Sequence, residues 1–208
     1  MPRDATRILG AMSDAPRTDK SLIRASVRER RAARTVEQRR SDGDELTSHL
    51  ARLVQEYRAT SVTCYLPAAD EPDTTGFIDW ARSHEIDVLL PIAQEGHLLE
   101  WARLGSAGTT RGRHGLAEPI GPRLPVTAAA AVDLMLVPAS AVDDTGARMG
   151  WGLGYFDRAL ASLSPVPPVF AVVHDDEILP LVPVDPHDVP ITGVVTPTGI
   201  RVFPIGPG

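Results

Sequence analysis

Short, continuous apolar runs alternate along this chain with longer stretches in which apolar residues recur every three or four positions. The first pattern is typical of strands buried on both faces, and the second is typical of amphipathic helices. The second pattern predicts helices at residues 18–33, 35–57, 75–83 and 157–163. The first predicts strands at residues 61–67, 86–91, 98–101, 132–137, 169–173, 194–196 and 201–203. This order predicts an α/β fold, a three-layer α/β/α sandwich with a largely parallel sheet.

Local signals refine these elements. Thr18 is predicted to cap the first helix, and Thr35 with Gln38 forms the capping-box pattern at the start of the second. Cys64 lies inside the first strand and is predicted to be a buried, unreactive thiol, because no base and orienting group accompany it. One apolar stripe on the second helix is predicted to pack in the core: Leu46, Leu50, Leu53, Val54 and Tyr57.

The composition is that of a globular protein, with 43% apolar residues in 208. We expect residues 1–17 to be a disordered lead-in and residues 18–204 to form one domain. A formal charge of −6 argues against a nucleic-acid partner, and no apolar run approaches the roughly 20 residues that a membrane span needs. The single cysteine agrees with a reducing compartment. These features predict a cytoplasmic monomer that binds neither nucleic acid nor a membrane.

The most informative stretch is residues 148–157, Arg-Met-Gly-Trp-Gly-Leu-Gly-Tyr-Phe-Asp. Three glycines at alternate positions let the backbone approach a ligand and turn consecutive amides towards one anion. Arg148 adds a fork of donors that suits a phosphate edge, and Asp157 is a ligand type for a hard cation. The run has no Gly-Lys-Ser/Thr ending and differs from a dinucleotide fingerprint, so it predicts a phosphate-binding loop of another kind.

Residues 137–158 resemble the signature of the 5-formyltetrahydrofolate cyclo-ligase family, the 5,10-methenyltetrahydrofolate synthetases. That signature reads approximately P-G-x-x-F-D-x-x-G-x-R-L-G-x-G-x-G-Y-Y-D-R. The arginine, the three alternating glycines and the aspartates are matched here, and sparser matches extend from about Lys20 to Thr196. The chain departs from the family pattern at five positions: Ala139, Val142, Met149, Phe156 and Thr192, the last in place of an aspartate.

The resemblance implies an ATP site. The family has a Lys-x-x-x-Arg motif that touches ATP phosphates, matched by Lys20 and Arg24, which share one face of the first helix. Catalytic roles are implied for Arg148 and Lys20. The other basic residues of this helix, Arg28, Arg30, Arg31 and Arg34, are predicted to form a solvated face. The implied ATP-binding residues are Lys20, Arg24, Arg148, Met149, Gly150, Trp151, Gly152, Leu153, Gly154, Tyr155 and Phe156.

The resemblance also implies a folate site and a magnesium site. Glu71 matches a family glutamate that lies against the folate, and a carboxylate can pair with the neighbouring N–H donors of a pterin. Tyr65, Leu66 and Tyr155 are expected to complete the folate wall. Asp157 and Asp188 are the implied Mg²⁺ ligands. Residues 105–115 are predicted to be a mobile surface loop, although its basic residues could instead meet a glutamate tail of the substrate.

The implied reaction is ATP-dependent closure of 5-formyltetrahydrofolate, with or without a polyglutamate tail, to 5,10-methenyltetrahydrofolate, through phosphorylation of the formyl oxygen. ATP would be the co-substrate, Mg²⁺ the cofactor, and ADP and phosphate the released products. Two alternatives remain open at this point. One is a non-catalytic nucleotide- or folate-binding relative, and the other is a sugar-phosphate isomerase on a similar sheet, which would not need ATP.

Overall fold

The computed structural model describes residues 15–105, 108–185 and 188–204. Most of the predicted lead-in, residues 1–14, lies outside these ranges. None of the described helices is long and apolar enough to cross a membrane. The four α-helices in the described ranges are α1 (Ala15–Ala33), α2 (Val36–Tyr57), α3 (Thr75–Ser83) and α4 (Tyr155–Ala161).

Strands in the described residues form three sheets. The strands are β1 (Ser61–Thr63), β2 (Asp87–Ala93), β3 (Leu99–Arg103), β4 (Thr109–Arg111), β5 (Ala117–Pro119), β6 (Leu134–Pro138), β7 (Ala141–Asp143), β8 (Arg148–Met149), β9 (Val169–Val172), β10 (Ile178–Leu179), β11 (Gly193–Thr196) and β12 (Gly199–Val202). The central sheet has seven strands in the order β12-β11-β9-β6-β1-β2-β3, and the small sheets have the orders β10-β7-β8 and β4-β5.

The five inner strands of the central sheet are parallel, and an antiparallel strand lies at each edge. Both faces are buried, because alternate residues of each strand enter different cores. On β6, Leu134 and Leu136 pack under α2 and α3, whereas Met135 and Val137 pack under α4 and the short 3₁₀ helix Val126–Ala131. The predicted three-layer α/β/α sandwich with a largely parallel sheet is therefore confirmed.

Several local predictions are also confirmed. The backbone N–H of Gln38 donates to Thr35 Oγ1 at 3.2 Å, and the Thr35 N–H donates to Gln38 Oε1 at 2.8 Å, so the capping box forms. Cys64 is fully buried, and burial raises the pKa of its thiol to about 12. The thiolate is therefore strongly disfavoured, as expected of a structural cysteine.

Other predicted boundaries are wrong. Helix α1 begins at Ala15, so Thr18 lies inside the helix and does not cap it. Strand β1 ends at Thr63, because the chain after Cys64 leaves the sheet and forms the loop before α3. Part of the predicted 105–115 loop pairs instead with the following segment, as the hairpin β4–β5. The side chain of His114 lies outside the described part of the chain.

The predicted solvated face of α1 is wrong for Arg31, which is 1% exposed. Its Nε and Nη2 atoms donate to the two carboxylate oxygens of Glu177 at 2.6 and 2.8 Å, and Nη2 also donates to the Ala139 carbonyl at 3.0 Å. Glu177 in turn accepts the backbone N–H of His174 at 2.9 Å. This buried bidentate pair fastens α1 to the segment that follows β9.

Gly193 in β11 has no room for a side chain. A Cβ at Gly193 would lie 2.5 Å from the Arg201 carbonyl oxygen and 2.5 Å from the Phe170 ring. Gly193→Ala should therefore lower the free energy of unfolding by about 1–3 kcal/mol, through overpacking. Gly199, in the neighbouring strand, has no atom within 4 Å of the position of a Cβ. Gly199→Ala is the matched control, with an expected change within about 0.5 kcal/mol in urea titrations. Equal losses in the two variants would contradict the steric argument.

Candidate active site

A cavity of about 480 Å³ lies at the carboxyl ends of β1, β2 and β6. Parallel α/β sheets bind their ligands at this edge, because the strands end there and the loops diverge. The cavity wall is apolar over much of its area and carries a few charged groups. Its lining residues are Arg28, Tyr65, Leu66, Ala68, Asp70, Glu71, Pro91, Ala93, Leu99, Leu116, Ala117, Glu118, Pro138, Arg148, Gly150, Trp151, Leu153, Gly154, Tyr155, Phe156 and Asp157.

The glycine loop, residues 150–154, leads from β8 into α4 and forms one side of the cavity. Gly152 and Gly154 have φ values of 97° and 71°, a region that side chains other than glycine seldom adopt. A Cβ at Gly152 would also lie 3.3 Å from the guanidinium carbon of Arg24. Arg24 Nε donates to the Gly150 carbonyl at 2.8 Å. The loop therefore lies directly against α1.

Arg148 is the buried cation of this site, with 4% of its surface exposed. Its Nη2 atom forms an ion pair with Asp157 Oδ1, and its Nη1 atom donates to the Pro138 carbonyl at 3.3 Å. Burial lowers the pKa of the guanidinium, and the charges of Asp157 and Asp188 oppose that shift. Arg148 therefore keeps a fixed orientation beside the glycine loop.

Lys20 and Asp188 lie next to each other, but neither is on the cavity wall. Lys20 Nζ is 2.8 Å from Asp185 Oδ2 and 3.6 Å from Asp188 Oδ2. Within the described ranges, no group of three or more His, Cys, Asp or Glu side chains comes together as a metal cluster. Mg²⁺ often binds through one or two carboxylates and substrate phosphates, so the donor types of Asp157 and Asp188 suit it.

Glu71 lies on the cavity wall, in the loop between β1 and α3. Its Oε2 atom accepts the backbone N–H of Ala68 at 2.9 Å. Burial raises the pKa of this carboxyl group, while the Ala68 N–H and the Arg31 charge favour its ionised form. The Tyr65 hydroxyl donates to the Pro72 carbonyl at 3.2 Å and holds the same loop closed.

The indole of Trp151 lies close to two guanidinium groups. Arg28 is 5.1 Å from the ring centroid and Arg31 is 4.9 Å from it, both within cation–π distance. The indole Nε1 atom makes no hydrogen bond of acceptable geometry, although it lies close enough to Glu71 to favour the ionised carboxylate. The contact between Trp151 and Glu71 is therefore electrostatic. Trp151 thus brings the glycine loop next to Glu71.

Comparison with known proteins identifies the family of this chain. A sequence model of the 5-formyltetrahydrofolate cyclo-ligase family matches residues 16–197. The chain is 34% identical over 188 residues to the 5-formyltetrahydrofolate cyclo-ligase of Mycolicibacterium smegmatis, covering 88% of this chain and 95% of the relative. The chain belongs to the 5-formyltetrahydrofolate cyclo-ligase family.

Two solved structures resemble this cyclo-ligase family member. The 5,10-methenyltetrahydrofolate synthetase of Aquifex aeolicus superposes with a TM-score of 0.76 at 28% identity, covering 91% of this chain and 95% of that one. The synthetase of Mycoplasma pneumoniae has a TM-score of 0.69 at 17% identity, covering 86% of this chain and 99% of that one. At that identity, the second likeness concerns the fold alone.

The cyclo-ligase fold brings most of the sequence-predicted residues to one cavity. Arg148, Glu71 and Asp157 lie on its wall with the aromatic and glycine residues predicted beside them. The predicted residues that do not line it are Lys20, Arg24, Met149, Gly152 and Asp188. Met149 is 2% exposed and packs against Ala141 and Val182. The implied contact of Met149 with ATP stays a prediction, and its side chain is part of the hydrophobic core.

Three departures from the family pattern have local explanations. Val142 is fully buried among apolar neighbours, and Phe156 packs edge-on against Trp101 with ring centroids 6.4 Å apart. Thr192, where the family has an aspartate, accepts the Val169 N–H through Oγ1 at 2.9 Å. Each side chain therefore has a structural role in its present form.

Sequence analysis did not assign Arg28, Arg31 or Glu118 to the candidate site. Arg28 and Glu118 line the cavity, and Arg31 stacks on the ring of Trp151. Glu118 Oε1 accepts the Ala93 N–H at 3.1 Å, which joins the β4–β5 hairpin to the end of β2. The four-residue spacing of Lys20, Arg24 and Arg28 was a signal for Arg28, because it places all three on one helical face.

The raised pKa of Glu71 predicts a pH-dependent stability effect. A carboxyl group whose folded pKa exceeds its unfolded value contributes most stability below the unfolded pKa, and that contribution is lost as pH rises through the folded pKa. Glu71→Gln should therefore be more stable than the wild type at neutral pH, and the difference should vanish below the ordinary glutamate value of 4.5. Urea titrations across pH would measure it. Glu45→Gln, an exposed change on α2, is the control and should show no such trend. A Glu71→Gln variant that is less stable at neutral pH would contradict this account.

Proposed function

We propose that this chain catalyses the ATP-dependent ring closure of 5-formyltetrahydrofolate to 5,10-methenyltetrahydrofolate, with release of ADP and phosphate. One observation carries the proposal: a single cavity joins the family's glycine loop, with Arg148, to the carboxylate of Glu71. The first suits phosphates, and the second suits a pterin. The substrates named for the relatives support the same reaction.

The chemistry explains why two ligands must meet. An N-formyl group is a poor electrophile, and its oxygen is a poor leaving group. Transfer of a phosphoryl group to that oxygen corrects both defects, after which N10 attacks the formyl carbon and phosphate leaves. Such catalysis depends on positioning and on neutralising charge, so a nucleophilic side chain is not needed.

The proposed roles follow from the positions of the residues. Arg148, fixed by Asp157 and the Pro138 carbonyl, faces phosphate groups at the glycine loop. Arg24 lies on α1 against that loop, and Lys20, one turn earlier on the same helix, supplies further positive charge. Glu71 orients the pterin ring, and Tyr65, Leu66, Tyr155 and Phe156 form apolar walls around the two ligands.

Asp157 and Asp188 are proposed to hold Mg²⁺ with the ATP phosphates. The ion would neutralise phosphate charge when bound, and these two carboxylates would fix its position. Each carboxylate pairs with a cation of the site, Asp157 with Arg148 and Asp188 with Lys20. The monomeric state and the cytoplasmic location stay predictions of the sequence.

The deciding experiment is turnover by the purified wild-type protein. The ultraviolet absorbance of 5,10-methenyltetrahydrofolate should rise with 5-formyltetrahydrofolate and ATP together, and ADP should form in equal amount. Neither should occur when one substrate is omitted. Tight binding of both ligands without turnover would instead favour a non-catalytic relative. Turnover without ATP would contradict the phosphorylation step.

Glu71→Gln tests the folate half of the site. The amide replaces one acceptor with a donor that faces a donor of the pterin, so kcat/KM for folate should fall roughly ten- to hundredfold. The affinity for ATP, measured by calorimetry without folate, should hardly change. Asp73→Asn is the control, because Asp73 is an exposed acid of the same loop and does not line this cavity. Loss of ATP binding with folate binding retained would reverse the assignment of the two halves.

Asp157→Asn and Asp188→Asn test the magnesium assignment. Each change should raise the Mg²⁺ concentration needed for half-maximal turnover. If both carboxylates serve one ion, the double variant should lose less than the sum of the two single losses, when losses are expressed as free energies. Strict additivity would place the carboxylates at independent sites.

A further inference from the structure

The cavity wall itself carries few cations for the anionic ligands proposed to fill it. Of its described lining residues, four are acidic (Asp70, Glu71, Glu118 and Asp157) and two are basic (Arg28 and Arg148). Arg148 already pairs with Asp157. ATP and a folate are both anionic, so a site for both needs cations that are not already neutralised.

Arg28 is the cation that meets this need. In the described part of the chain its guanidinium has no ion-pair or hydrogen-bond partner, and its one specific contact is with the ring face of Trp151. Stacking on a ring leaves the edge N–H donors of an arginine available. Arg31 stacks on the same ring, but its guanidinium already donates hydrogen bonds to Glu177 and to the Ala139 carbonyl. Arg28 is therefore held in orientation while its donors remain open to the cavity.

The position of Arg28 lies between the two halves of the site. Lys20, Arg24 and Arg28 follow one another at successive turns of α1, about 6 Å apart along the axis. Arg24 contacts the glycine loop in the phosphate half, and the Trp151 ring on which Arg28 stacks is close to Glu71 in the folate half. Arg24 and Arg28 are near enough to repel, and the Arg28 charge adds to the effect of burial in lowering the pKa of Arg24. Like charges held close together suit a shared polyanion.

We infer that Arg28 is a catalytic residue that binds the phosphoryl group while it passes from ATP to the formyl oxygen. This inference rests on the proposed function. In the first step the γ-phosphorus forms a bond to the formyl oxygen, and its bond to the β–γ bridging oxygen breaks, with the electron pair leaving on ADP. In the second step N10 bonds to the formyl carbon and loses its proton. The C–O bond then breaks, and inorganic phosphate leaves with that electron pair.

Arg28 contributes to both steps through the same contact. Its guanidinium donates to the non-bridging oxygens of the group in transfer, where negative charge is spread during a loose phosphoryl transfer. It then donates to the same oxygens as they leave with the phosphate. Because this contact strengthens as the phosphoryl group moves, it should affect kcat more than either KM.

Steady-state kinetics of Arg28→Gln and Arg28→Lys test this inference. The glutamine variant should lower kcat roughly ten- to hundredfold, with little change in either KM, and the lysine variant should fall between it and the wild type. Arg28 is exposed on α1, so both variants should fold, and thermal unfolding would check this. Arg30→Gln is the matched control, because Arg30 lies on the same helix and pairs with Asp176 at 3.0 Å, away from the cavity. Its kinetics should be those of the wild type.

Two results would overturn the inference. Unchanged kcat in Arg28→Gln would show that the phosphoryl group does not use this arginine. A rise in folate KM alone, larger for polyglutamyl than for monoglutamyl substrate, would assign Arg28 to the glutamate tail. Either result leaves the proposed function standing as long as the wild type turns over. Absence of wild-type turnover is a separate outcome, and it would remove the proposed function and this inference together.

Discussion

Burial of both faces of the central sheet is the constraint on which the rest of this structure depends. The inner strands β11, β9, β6, β1 and β2 are parallel and covered by helices on either side, so no polar ligand can lie against a sheet face. The ends of the strands are the remaining place for a site. The chemically informative loops accordingly leave the carboxyl ends of β1 and β6, and the cavity lies between them. The location of the site thus follows from how the sheet is packed.

Most of the charged side chains around the site are paired with a group of opposite charge. Arg31 is buried with Glu177, Arg148 is paired with Asp157, and Lys20 lies beside Asp185 and Asp188. Buried charges are tolerable only when paired, and each of these pairs also fixes a side chain at one edge of the site. Glu71 is the exception, because burial works against its ionised form. A carboxylate kept under such conditions is typical of a functional group.

The basic residues of helix α1 look like an ordinary surface in the sequence, but several of them contact the candidate site. Their spacing is that of an ordinary solvated face, yet one side of the helix lies along the glycine loop. Arg24 donates to the Gly150 carbonyl, Arg28 and Arg31 both stack on Trp151, and Arg31 also donates to Glu177. The helix therefore connects the glycine loop to the segment after β9 and to the neighbourhood of Glu71.

The sequence alone determined the fold class, because the alternation of apolar runs and helical stripes is a local property that α2, α3, β6 and β9 carry in their own residues. It also determined the family and the glycine loop, since Arg148, Asp157 and the glycines are contiguous. Contacts between distant segments were decided by the tertiary structure. Arg31 was predicted to be solvated because Glu177, its partner, is 146 positions away. Likewise, the stacking of Arg28 on Trp151 depends on how α1 crosses the loop, and no periodicity within α1 records that crossing.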